Sequence, residues 1–286
     1  MTNAMKNIDT LIGPDTMNPH FRKFAALAPA LLLATALASC GGGGGGGTPP
    51  PPPPAYQGVV STVPTVTYTS HNLVISGSIN DDVRGAAGFG KLAQNAALDN
   101  AALKHAAFLV DNGLVADTTY LTTEQTGGIL GGHYEASNAL SLANFTGASP
   151  QVRATNAGYT GTGTVTVTEL MIFGAADGAA CIAALENSVY HLIALVSPYV
   201  DMGISFNAGT GSGSACAIVL GVKNYLTLGQ LPASPVVYPY NNQTGVAPTF
   251  YNQAEFPIPA SDLDPVGHPV VVSLYTLSNP TLVDSD

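Results

Sequence analysis

Apolar residues recur at helical spacing between Asn95 and Gly113 (NAALDNAALKHAAFLVDNG), with Leu98, Ala102, His105/Ala106 and Leu109 on one face. That pattern predicts a helix opened by Asn95 and stopped by Gly113. The period changes to two in TVTVTELMIF, where Val165, Val167 and Glu169 share one face of a predicted strand and Leu170 and Ile172 the other. A second helix is predicted from Asp177 to about Val189, with Ile182, Leu185 and Val189 as its apolar stripe. Met202–Phe206 and Ala215–Val222 predict two strands joined by a Gly/Ser hairpin loop. Shorter signals place a helix from the Asn80-Asp81 caps to Ala87, another from Pro150 to Ala157, and a turn at Gly161–Gly163. Residues 56–78, rich in Val, Thr and Ser, read as extended chain or an edge strand, and 114–150 as loops. Short strands alternating with helices predict an α+β sandwich with a small antiparallel sheet.

The N-terminus follows a different logic. Arg22 and Lys23 precede an apolar run from Phe24 to Ala38, too short for a membrane span of about 20 residues and suited to a secretory signal. It ends Leu37-Ala38-Ser39-Cys40, which resembles the lipobox of bacterial lipoproteins. The resemblance implies lipidation of Cys40 after removal of 1–39, and Gly41 after the cysteine, where an aspartate would retain the protein, implies outer-membrane sorting. Met17 offers a shorter start. The tether at 40–55 joins seven glycines to six prolines, a floppy joint followed by a stiff rod. The expected partner at this end is therefore the membrane.

Composition narrows the partners further. Only 9% of the 286 residues are charged, and the formal net charge is −10. Past the leader only Arg84, Lys91, Lys104, Arg153 and Lys223 are cationic, so nucleic acid is excluded as a partner. With Cys40 given to lipid, Cys181 and Cys216 remain, and an exported chain predicts that they pair in a disulfide; two buried thiols are the alternative. The tail at 232–286 holds nine of the 21 prolines, between strand-like runs VVYPYNNQTGV and HPVVVSLYTL. It is expected either to pack on the main domain or to begin a β-sandwich module that the chain does not finish, since such a module takes about 100 residues.

Four segments in order (LAQNAALDNAALKHAAFLVDNG, HYEASNALSLANFTGASPQVRATNAGY, VTELMIFG and LENSVYHLIALVSPYVDMGISF) resemble bacterial members of the CAP superfamily, which groups cysteine-rich secretory proteins, antigen 5 and plant pathogenesis-related proteins. The resemblance covers a domain at about 78–228, after a lead-in at 56–77. It implies a CAP-type α-β-α sandwich with a central antiparallel sheet and a polar cleft, followed by the short β-rich tail. Relatives place two His and two Glu around the cleft. His133 of GGHYE, Glu169 of VTEL and His191 of VYHLI match three of these, although Thr168 and Leu170 replace the Gly and Asn that commonly flank the Glu. Glu186 is the nearest candidate for the fourth, and it can share a cleft with His191 only if the helix ends near Ser188 to Tyr190.

Two imidazoles and a carboxylate suit a divalent metal such as Zn²⁺ with an open position, able to activate water. The remaining polar signals are plainer. His105 reads as packed or as a surface group, Glu135 as surface, and His71 and His268 lack partners at useful spacing. Gly209–Gly213 reads as a hairpin, because no Lys follows as a phosphate loop requires. No G-x-S-x-G or H-E-x-x-H motif occurs. The function expected is a lipid-anchored envelope binding module taking a small ligand, lipid or peptide. A metal-dependent hydrolase is the alternative, and a structural surface protein with a vestigial cleft the second.

Overall fold

The structure is a computed structural model that describes residues 68–125, 128–135, 142–211, 213–223, 235–251, 255, 259 and 265–273. The leader, Cys40, the tether and the 56–67 part of the lead-in lie outside these residues.

The described chain opens in helix α1 (Ser70–Gly77), where extended chain was expected. Local Val/Ser/Thr propensity is overridden by tertiary anchoring. Ile75 is fully buried, and the Asn72 amide donates to Ile204 O and accepts from Phe206 N. The helix continues as a π-helical segment (Ser78–Gly85), so the expected start at Asn80 falls in mid-element. Asn80 instead brackets Leu92, accepting from its N–H and donating to its carbonyl. Arg84 in this segment is buried, and its guanidinium donates to the carbonyls of Gly90, Leu195, Ser197 and Tyr199.

Strand β1 (Ala93–Gln94) leads directly into α2 (Ala96–Asp111), whose cap is Asn95 and whose stop is Gly113 at φ +70°. The 114–150 stretch is more ordered than expected. It holds a 3₁₀ turn (Leu114–Ala116), α3 (Thr118–Thr122), a second 3₁₀ turn (Gly131–His133) and α4 (Pro150–Asn156), the last capped by Ser149 with Pro in its first turn. Strand β2 (Val165–Phe173) follows, then α5 (Gly178–Glu186) capped by Asp177. The helix expected to reach Val189 breaks after Glu186, and α6 (Val189–Leu195) departs at 100°. Ser188 makes the break, with its hydroxyl turned back to Leu185 O. Glu255 then accepts from the N–H groups of Val189 and Tyr190, capping the new helix from the tail.

Strands β3 (Asp201–Asn207) and β4 (Ala215–Lys223) complete a four-stranded sheet of order β1-β3-β4-β2. β4 pairs antiparallel with both neighbours, Ile218 standing opposite Leu170 on one side and Ile204 on the other. The sheet is mixed where an antiparallel one was expected, because β1 adds parallel to β3. Two residues suffice for this edge, since the chain leaves it at once to cross the sheet as α2.

Alternation sorts the strands into two faces. Val167, Met171, Ala217 and Val219 meet Leu98, Ala102, Ala106 and Leu109 of α2. Leu170, Ile204, Ile218 and Leu220 meet Ile75, Ile182, Leu185 and Leu192 on the other side. The fold is therefore α+β, with the sheet between two helical layers. At roughly 1.5–3 kcal/mol for each fully buried aliphatic side chain, these two cores outweigh any local propensity. α2 lies so close to β3 that a Cβ on Gly203 would sit 2.0 Å from the Leu98 carbonyl carbon. The Cys181–Cys216 disulfide joins α5 to β4.

The tail forms two small ribbons, β5 (Val236–Tyr238) with β8 (Val271–Ser273) and β6 (Thr249–Phe250) with β7 (Val266–Gly267). Val236 and Tyr238 enter the core on the α5 side. Of the two expectations for this tail, the described part packs on the main domain.

Candidate functional site

Strand β2 is an edge of the sheet, and Glu169 points from its middle into the α2 layer, paired across to Val219. The carboxylate is fully buried and meets three cationic or ionisable partners. Arg153 of α4 donates to both oxygens, at 2.9 and 2.8 Å. His133 Nδ1 lies 3.1 Å from Oε2, and His105 Nε2 3.6 Å from it. Burial alone would raise the Glu169 carboxyl. The Arg153 guanidinium, then His105 and His133, outweigh burial and hold it well below the usual carboxylate range.

Glu135 belongs to the same cluster, which corrects its reading as a surface residue. Its side chain is fully buried. Oε1 lies 3.0 Å from His105 Nδ1, and Oε2 accepts from the N–H groups of Thr146 and Gly147. A loop gave no geometry from spacing alone, but these two N–H donors supply it. His105 is packed, as one of its two readings held, and also bonded. Its second nitrogen is 3.0 Å from Gly132 O. Both nitrogens thus lie against oxygen atoms. Arg153 completes the cluster through Gly147 O and His133 O. Glu135, His105 and Arg153 were missed as site residues. The available signal was scarcity: a chain with five cations beyond residue 40 places one of them, Arg153, beside Ala154 on the inner face of a helix.

His191 reaches the β2 edge from the opposite layer, on α6. Its Nδ1 is 2.7 Å from the Ser188 hydroxyl and 3.9 Å from Glu255. Burial and then the nearby His133 imidazole lower it to about 4. The His133 and His191 side chains keep 26% and 22% exposure, whereas those of His105, Glu135, Arg153 and Glu169 are closed to solvent. Glu186 is not with them. It faces Tyr238 of the tail, whose hydroxyl lies 3.3 Å away. Burial, opposed by that hydroxyl and reinforced by Asp82, raises it to about 7. The helix does break where a shared cleft required, but the 100° bend turns Glu186 to the tail side.

A divalent metal fits this donor set poorly. Both Glu169 oxygens already accept from a guanidinium, so an ion there would sit against a fixed positive charge. Among the described residues no group of three or more His, Cys, Asp or Glu is arranged to hold a metal.

No family model matches the chain, and no curated protein matches it. Among solved structures, an outer surface protein from Borrelia burgdorferi is similar at 15% identity and a TM-score of 0.40, over 56% of this chain and 97% of that one.

Proposed function

We propose that the chain is an exported, surface-held binding module of the CAP type, anchored through lipid on Cys40, whose cleft between His133 and His191 takes a small ligand, lipid or peptide. The observation that carries the binding role is the grip of Arg153 on both oxygens of Glu169. That carboxylate is fixed as a charged structural group and is not free to move a proton or hold an ion. What remains open is a pair of imidazoles on a rigid base, which can orient a polar group by hydrogen bonding. The segment order in the sequence and the two helical layers around the sheet support the CAP assignment. The basic flank, apolar run and Cys40 support export and anchoring.

The test is native mass spectrometry of the full chain with a panel of fatty acids, phospholipids and short peptides, in parallel with a His133→Ala/His191→Ala variant. Retention of one class by the native chain, lost in the variant, is the expected result. Release of a cleaved product, or zinc bound stoichiometrically through these histidines, would replace this reading with hydrolysis.

A further inference from the structure

A small recess lies on another side of the same arginine. Asn100, Ala101 and Lys104 of α2, Thr146, and Arg153, Asn156 and Ala157 around α4 enclose about 130 Å³. Ligand pockets for drug-sized molecules run to about 300–1,000 Å³, so this one admits only a small group. Its wall is unusual for an acidic protein. Two of the five cations past the leader, Lys104 and Arg153, meet here. Lys104 is within ion-pair distance of no carboxylate among the described residues, its ammonium resting 3.5 Å from the Asn144 amide oxygen.

Two wall residues also carry buried polar atoms without a hydrogen-bond partner, Arg153 Nε and Thr146 Oγ1. Arg153 is only 1% exposed, and orphaned donors at such depth are costly unless something completes them. Glu135 lies 3.7 Å from Nε, beyond hydrogen-bond range, and its oxygens are held by His105 and by the Thr146 and Gly147 N–H groups. The Asn156 amide donates one hydrogen to Thr146 O and keeps a second. The unused capacity is therefore the Lys104 ammonium, an Asn156 amide N–H and the Thr146 hydroxyl, with the buried Arg153 Nε behind them beside Glu135.

We propose that this recess binds a small oxyanion, a phosphate or carboxylate group, between Lys104, Arg153, Thr146 and Asn156. The Lys104 ammonium supplies the charge and the neutral donors the direction that the lone pairs of such a group require. The site is separate from the His133/His191 cleft and stands whether or not that cleft binds anything.

The experiment is titration of the full chain with inorganic phosphate, followed through backbone amide chemical shifts. The expected result is a saturable shift at Asn100, Lys104 and Asn156. Lys104→Gln should weaken binding at least tenfold and Asn156→Leu should weaken it too. Lys91→Gln, which removes the same charge from the exposed pair with Asp81, should leave it unchanged. Absence of saturation, or equal affinity in Lys104→Gln and the native chain, would overturn the proposal. Co-sedimentation with phosphatidic acid vesicles, but not phosphatidylcholine vesicles, in a Lys104-dependent manner assigns the anion to a lipid headgroup. Phosphate binding without such sedimentation assigns it to a free anion.

Discussion

Arg153 Nη2 touches Glu169 Oε1 at 2.9 Å and Oε2 at 2.8 Å, with both side chains fully buried. Removing one member of such a pair leaves an uncompensated buried charge. Arg153→Met should therefore lower stability by about 3–5 kcal/mol, measured by urea denaturation. Adding Glu169→Gln to that variant should restore part of the loss, because the carboxylate that Arg153 held directly no longer carries a charge. The native pair also sets an acid limb. A carboxyl held below its unfolded value of about 4.3 contributes stability that is present above that pH and is lost as pH falls. Glu169→Gln should flatten this limb. Equal stability of Arg153→Met and the native chain would show that the pair is not a structural support.

His191 and Glu186 predict opposite slopes in one pH window. His191, lowered to about 4, is neutral when folded and binds a proton on unfolding between about pH 4 and its unfolded value of about 6.5. Its contribution to stability rises with pH across that range. Glu186, raised to about 7, stays protonated when folded and ionises on unfolding above its unfolded value of about 4.3. Its contribution falls as pH rises to 7. Each slope reaches at most about 1.4 kcal/mol per pH unit for one proton, so the native chain should be nearly flat between about pH 4.5 and 6.5 from these two groups. Melting temperatures across this window should rise with pH in Glu186→Gln and fall in His191→Asn. A Glu186→Gln variant with an unchanged profile would contradict the burial of that carboxyl against Tyr238.

What the sequence made legible was local. The α2 stripe from Leu98 to Leu109, the alternation through Glu169 and the Cys181/Cys216 pair each depend on spacing within one segment or on counting. The cluster around Glu169 does not. His105, Glu135 and Arg153 are joined to one another and to Glu169 by contacts 16 to 64 residues apart in the chain, and Glu135 is fixed by N–H groups from a loop with no periodicity. The break in α5 is hidden for a similar reason. The apolar stripe runs on from Leu185 to Val189, while the residue that caps the new helix, Glu255, comes from the tail. The start of α1 is not legible locally because its anchor, Asn72, bonds to a strand more than 130 residues away.

The disulfide offers a test of the sheet–helix join. Cys181 and Cys216 are 35 residues apart and fully buried. Closing a loop of that length stabilises by about 3–4 kcal/mol through the unfolded chain. A Cys181→Ala/Cys216→Ala variant should lose about that much in urea denaturation, with the signal of the sheet retained at low urea. The native chain should show the same loss after reduction under partly denaturing conditions, since neither sulfur is accessible in the fold. If reduction costs nothing, the two cysteines are free thiols.

Gly203 tests how α2 is seated. A Cβ there would lie 2.0 Å from the Leu98 carbonyl carbon and 2.2 Å from the Asp99 nitrogen. These are backbone atoms, so no side-chain rotation relieves the clash, and α2 must move off β3. Asp99 accepts from Tyr68, Gln94 and the Ile204 N–H at that point, so the displacement would loosen three hydrogen bonds together with the Leu98 contact. Overpacking of a closed core costs about 1–3 kcal/mol, and the added bond losses place Gly203→Ala at or above the top of that range. Because His105 and Lys104 ride on the same helix, the variant should also perturb amide shifts at Glu135 and Gly132 in the folded state. Gly221→Ala is the comparison. Its Cβ would meet the buried Tyr159 ring at 2.7 Å, a side chain and not the α2 backbone, so the shifts at Glu135 should be unchanged.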